Sequence, residues 1–193
     1  MGLVSNMFKR IIFWLKEDRL GPDMPLTHFL LHSIKLQYWL CKHKFGKFGK
    51  DAEFRPGAYA VCASQIFIGS RVTIRPQSML FASKDTCIHR EHITIEDDVL
   101  IGSGVHIYVS NHKFDEPNQV ISNQGHQEVK PVILRKGCWV GANSIILPGV
   151  EIGQNAVVGA GSVVTKSIPS FCVSAGNPCK VKKSCNTSEL RLL

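Results

Sequence analysis

Between Val132 and Ile168 the chain reads VILRKGCWVGANSIILPGVEIGQNAVVGAGSVVTKSI, and aliphatic residues recur every six positions at Leu134, Val140, Ile146, Ile152, Val158 and Val164. Three residues after the first five stand Gly137, Asn143, Gly149, Asn155 and Gly161. Gly and Asn enter the left-handed region of backbone space at the least cost. One position further on are the small or medium residues Cys138, Ser144, Val150, Ala156 and Ser162. A helix needs a period near 3.6 and an exposed strand a period of 2. A period of six, with one inward aliphatic and one left-handed corner per unit, describes short strands stacked in parallel around a single column. The predicted fold class is therefore an all-β solenoid of hexapeptide rungs.

The segments WVGANSIILPGVEIGQNAVVGAGSVVTKSIP and, where the chain leaves the repeat, SAGNPCKVKK resemble the hexapeptide-repeat acyltransferases. The resemblance spans roughly residues 48 to 183 and implies a left-handed parallel β-helix. Within the family it is greatest to the sugar O-acetyltransferases of the galactoside and surface-polysaccharide type.

Fewer rungs are visible before residue 132. Phe54 to Ala58, Ile68 to Val72, Ile74 to Ser78, Ile95 to Val99 and Ile101 to Val105 keep the pattern. The stretch KDTCIHREH breaks it, and so do residues 111–131, NHKFDEPNQVISNQGHQEVKP, which carry almost no repeat signal. A long irregular loop on a regular scaffold is where function is usually carried. Ahead of the solenoid, residues 4 to 20 and roughly Leu26 to Lys44 show helical spacing of apolar residues, with Gly21-Pro22 between them. Two roles fit these helices: covering the open end of the solenoid, or peripheral contact with an anionic membrane, expected at the inner membrane. The expected organisation is a helical segment at 1–47, the β-helix at 48–168 with its loop at 111–131, and a tail at 169–193.

Composition narrows the classes. The 193 residues are 44% hydrophobic and contain no run of about eighteen apolar residues, so no spanning helix is expected. Lys9, Arg10 and Lys16 interrupt the first apolar patch, which argues against a signal peptide, and Asn6 stands where a myristoylation motif wants Ser or Thr. Seven scattered cysteines without a CxxC pair fit reduced thiols in a cytoplasmic protein. Cys138, at a rung corner, reads as apolar filler. The net charge of +8 fits either solubility or an anionic partner such as coenzyme A or a nucleotide-linked sugar. No nucleic-acid-binding motif is present.

Acyl transfer from a thioester to an alcohol requires a base for the hydroxyl, donors for the oxyanion, and two substrates held together. Imidazole suits the first task, and the chain has eight histidines. The resemblance implies that His112, in SNHKF at the start of the loop, is the general base; His106 and His126 rank behind it. Asn111 is either a substrate-orienting residue or a turn residue. The resemblance also implies that Trp139, Ala142 and Ala160 line the pantetheine arm of acetyl-CoA, with the Ala142 N–H meeting the thioester oxygen. Thr165 and Lys166 are then expected near the nucleotide, with Lys180 and Lys183 as phosphate partners.

On the acceptor side the galactoside pattern is not matched. Asp85, His89 and Arg90 occupy that region, and the sugar stays open. The expected assembly is a homotrimer with sites between subunits. The leading function is O-acetylation of a sugar in surface-polysaccharide or O-antigen synthesis, without a metal. N-acetylation of a nucleotide-linked amino sugar and antibiotic acetylation are the alternatives on the same fold. A zinc-dependent γ-carbonic anhydrase is disfavoured, because His106 and His112 have five residues between them where that class has four. His28 and His32, one helical turn apart, lack an evident third ligand.

Overall fold

The computed structural model describes residues 2–84 and 91–184. Three parallel sheets face one another around a single core, the architecture of a left-handed parallel β-helix. The first sheet contains Tyr59–Val61, Met79–Phe81, His106–Tyr108, Ile145–Ile146 and Val163–Val164. The second contains Lys47–Phe48, Ile66–Ile68, Ile93–Ile95, Val132–Leu134 and Glu151–Ile152. The third contains Glu53–Phe54, Thr73–Ile74, Leu100–Ile101, Trp139–Val140, Val157–Val158 and Cys172–Ala175. The chain visits the second, third and first sheets in turn. Leu134 pairs with Ile152, eighteen residues on, so an uninterrupted coil is three hexapeptides.

The aliphatic column read from the sequence is the core. Leu134, Val140, Ile146, Ile152, Val158 and Val164 have no solvent exposure, and Phe54, Ile68, Ile74, Leu80 and Ile107 extend the column towards the N-terminus. Each coil is held to the next by backbone hydrogen bonds, such as Gly141 N–H to Val158 O at 2.8 Å. The corners take the predicted left-handed conformation, with φ of 58° at Asn143, 80° at Gly149 and 68° at Gly161. A β-branched residue at Gly149 meets that strained region and the Lys130 side chain 3.3 Å from its Cβ. Gly149→Val is expected to cost about 1–3 kcal/mol, read as a lowered midpoint in thermal unfolding; an unchanged midpoint would show the corner to be tolerant. Burial pushes the Cys138 thiol up to about 12, in keeping with a filler role.

The second predicted helix is two. α1 spans Gly2–Lys16, α2 Pro25–Leu30 and α3 Ile34–Lys44. The tight turn at Leu31, His32 and Ser33, whose N–H groups reach back three residues, redirects the chain so that Leu31 is buried over the first coil. α3 covers the end of the solenoid: Leu40 and Cys41 are buried, Phe45 meets Phe54 at 5.2 Å, and Gln37 Nε2 donates to Phe54 O at 2.7 Å. Between α1 and α2, Arg19–Leu20 adds an antiparallel strand to the first sheet. At the other end the repeat does not stop at Pro169. Cys172–Ala175 continues the third sheet and forms a hairpin with Lys180–Ser184, because its alternating residues bury Cys172 and Ser174 in the column.

Every interruption of the repeat leaves at one place, the corner where the first sheet hands over to the second. From one inward residue to the next the chain usually takes six positions, but across this corner Ala60 to Ile68 takes eight, Leu80 to Ile95 fifteen and Ile107 to Leu134 twenty-seven. The other two corners stay short throughout.

Candidate active site

The segment 109–131 is an ordered arm. Gln127 N–H donates to Asn111 O at 2.8 Å, Lys113 N–H to Gly125 O at 3.0 Å, and Ser110 Oγ to Gln127 O at 2.7 Å. This pairing sets His112 opposite His126, and their rings lie 4.3 Å apart at 34°. Both histidines and Asn111 line a cleft of about 790 Å³ at this corner, with Phe81, Lys84, Tyr108 and Cys62. Its floor continues an aromatic ladder on the first sheet. Tyr59 and Phe81 lie 5.8 Å apart, and Phe81 stacks on Tyr108 at 5.1 Å and 8°. Tyr108 has its hydroxyl 3.0 Å from His106 Nδ1, so His106 is engaged in the sheet while His112 faces the cleft. His126 ranked behind His112 in the sequence, yet it is the ring that touches His112. Asp85, His89 and Arg90, expected on the acceptor side, lie outside the described residues.

The residues expected to hold the donor gather elsewhere. Trp139 and Ala142 line a second cleft of about 390 Å³ on the third sheet, with Leu100, Ser103, Arg55 and Arg75. Trp139 is half-exposed and sits in register with Leu100 and Val157. Ala142 and Ala160 follow at the corner leading to the first sheet, one coil apart, and Gly161 N–H donates to Ala142 O at 2.8 Å. A side chain at Gly141 would lie 2.5 Å from Ala160 N, so these coils close only over glycine.

At this corner Gly141 and Asn143 donate their N–H groups to Val158 O and Ser103 O. The intervening N–H of Ala142 takes no backbone partner among the described residues, and the same holds for Ala160 between Gly159 and Gly161. Two amides flanked by small side chains and free of the ladder suit a carbonyl or developing oxyanion. Thr165 and Lys166 lie exposed past the last strand of the first sheet, and Lys180 and Lys183 are exposed on the terminal hairpin.

Sequence reasoning missed Arg55 and Arg75. They follow the inward residues Phe54 and Ile74 and occupy the same column as Gly102 and Gly141, which the coil-to-coil bonds from Arg55 N–H to Ile74 O and Arg75 N–H to Ile101 O record. Arg55 is paired with Glu53 at 2.8 Å, whereas Arg75 forms no ion pair among the described residues.

The two clefts stand at opposite edges of the first sheet. The structure brings Asn111, His112 and His126 together, and separately Trp139, Ala142 and Ala160, but it does not join the groups within one chain. Among the described residues no three His, Cys, Asp or Glu side chains cluster as a metal site.

A model for the hexapeptide repeat of succinyl-transferase matches residues 131–166. The galactoside O-acetyltransferase of Escherichia coli (strain K12) is 34% identical over 148 residues, which is 76% of this chain and 68% of that protein. The chain belongs to the hexapeptide-repeat acetyltransferase family. Among solved structures, a galactoside acetyltransferase in complex with coenzyme A superposes with a TM-score of 0.73 at 30% identity, covering 86% of this chain and 80% of that one. A maltose O-acetyltransferase from Clostridium difficile 630 gives 0.70 at 29% identity, covering 82% of each.

Proposed function

We propose that this acetyltransferase moves the acetyl group of acetyl-CoA to a sugar hydroxyl, in the cytoplasm, in the assembly of a surface polysaccharide. The observation that carries the reading is the pairing of a histidine-bearing acceptor cleft with a column of ladder-free amides beside Trp139. The relatives named for galactoside and maltose acetylation support the same donor and acceptor classes.

In this reading His112 takes the proton from the acceptor hydroxyl as its oxygen attacks the thioester carbonyl. The oxyanion is held by the Ala142 N–H. The carbon–sulfur bond then breaks, and His112 returns its proton to the departing coenzyme A thiolate, so no acyl-enzyme is needed. The exposed guanidinium of Arg75 and the Lys180 and Lys183 ammonium groups offer cations to the phosphates of the donor. Asn111 contributes to holding the acceptor beside His112.

The separation of the clefts implies that a working site takes one wall from each of two chains. A triangular prism offers three corners. Packing three prisms side by side sets the arm corner of one against the amide corner of the next, and closes as a trimer.

The test is a thiol-release assay with acetyl-CoA across galactosides, maltosides and amino sugars, with product mass spectrometry to locate the acetyl group. Acetyl-CoA-dependent release with a neutral hexose acceptor is the expected result. Turnover confined to an amine would replace O- with N-acetylation, and no release with any saccharide would overturn the reading.

A further inference from the structure

We propose that α1, together with the exposed flank of α3, is an in-plane anchor for an anionic lipid surface. α3 spends its buried side on the end of the solenoid, but α1 has no such role. None of its described side chains is buried, and Met7, Phe8, Ile12, Phe13 and Leu15 are each about half-exposed or more, Phe8 at 60%. On a helix Met7, Ile11 and Leu15 follow at intervals of four with Phe8 and Ile12 beside them, so these apolar residues share one broad face. Lys9, Arg10 and Lys16 lie off that face.

The patch continues onto α3. Leu15 and Lys16 of α1 and Trp39 and Lys44 of α3 line one hollow of about 380 Å³. Trp39 is 53% exposed. Lys44 Nζ donates to Leu15 O at 2.6 Å, which fixes the C-terminus of α1 against α3 and holds the two surfaces in one orientation.

Charge selects the occupant. α1, α2 and α3 carry six Lys and Arg residues between them and no Asp or Glu. The carboxylates begin only after α1: Glu17 follows it directly, Asp18 accepts from Ser64 N at 2.8 Å and from Ser64 Oγ at 2.6 Å, and Asp23 pairs with Arg19 at 2.8 Å. A half-exposed apolar face with Trp and Phe, on helices that carry Lys and Arg but no Asp or Glu, fits the interface of an anionic bilayer. Among the described residues no helix is long and apolar enough to cross one, so the helix lies on the surface. The inference does not depend on which acceptor is used. It would set the enzyme beside an acceptor that is itself held at the membrane.

The experiment is co-sedimentation of the full chain with vesicles of phosphatidylcholine alone and of phosphatidylcholine with phosphatidylglycerol. The parent should pellet with the second only and be released by salt. Lys9→Gln with Arg10→Gln should weaken binding about thirtyfold, and Phe8→Glu with Ile12→Glu should abolish it. Both variants should keep the parental thiol-release rate on a soluble acceptor. A parent that stays in the supernatant, or binds both vesicles equally, would overturn the proposal. So would a Phe8→Glu, Ile12→Glu protein of altered mass by light scattering, because the face would then be covered by a second copy. If that variant does not fold, the Lys9→Gln, Arg10→Gln result decides alone. An absence of acetyl transfer by all the proteins would count against the enzymatic reading and leave the vesicle result standing.

Discussion

His112→Ala is expected to lose about 10²–10⁴-fold in turnover, the range for removing a general base, while binding acetyl-CoA nearly as tightly as the parent. The two effects separate because His112 sits on the arm after Tyr108, whereas Trp139, Ala142 and Ala160 belong to rungs after Leu134 at another corner. Nothing in the coil ladder runs through the imidazole, so the donor wall should survive its loss. His126→Ala is expected to cost less, on the order of tenfold, since its ring only packs on that of His112 and restrains it. His106→Ala should cost less again, because its ring is tied to Tyr108. Calorimetric titration with acetyl-CoA and steady-state thiol release on the three proteins measure both quantities. A His112→Ala protein turning over at the parental rate would place the base on another residue.

The second large effect is a recovery. Ala142→Phe should fill the corner beside Trp139 and abolish turnover by blocking the donor, and His112→Ala should lower it about 10²–10⁴-fold at the acceptor. If each site joins the arm of one chain to the amide corner of another, co-expression of the two impaired chains should restore activity. Random assembly leaves about a quarter of the sites with both walls intact. The measurement is turnover of the mixed, purified assembly against each impaired parent, with light scattering to give a mass near three chains. A mixture no more active than its parents would mean that both walls come from the same chain.

Much of the fold was legible because the rungs from Leu134 to Val164 place Gly or Asn at each left-handed corner and one aliphatic in each inward slot. The N-terminal rungs were fainter for a physical reason. Gly57 and Gly104 keep glycine at the left-handed corner, but Asp51, Arg71, Gln77 and Asp98 take it elsewhere, with φ of 57°, 55°, 65° and 63°. These residues accept the strain where tertiary contacts hold them: Arg71 pairs with Asp98 of the next coil through two bonds of 2.5 and 2.9 Å. Such a bond depends on which residues stack, which the local pattern does not reveal. The split of the second helix was hidden likewise, because its apolar spacing runs on through His32 and Ser33.

For the candidate site, His112 was singled out only through resemblance, since eight histidines offer the same chemistry. The ladder-free amides of Ala142 and Ala160 are backbone groups and leave no trace in side-chain identity. Arg55 and Arg75 did leave one, each directly after an inward residue, but it emerges only when successive coils are aligned.

The gathering of every insertion at one corner has a consequence for how such a protein changes over time. Tyr108 and Val132 lie in neighbouring strands of adjoining sheets, and the coils on either side keep their pairing whatever chain is spent between them. Residues of the arm can therefore be lengthened, shortened or exchanged without moving a hydrogen bond at the amide corner. On the proposed assignment of the acceptor to the arm and of the donor to the amide corner, selection for a new saccharide would act on one replaceable module and leave the amide corner in place.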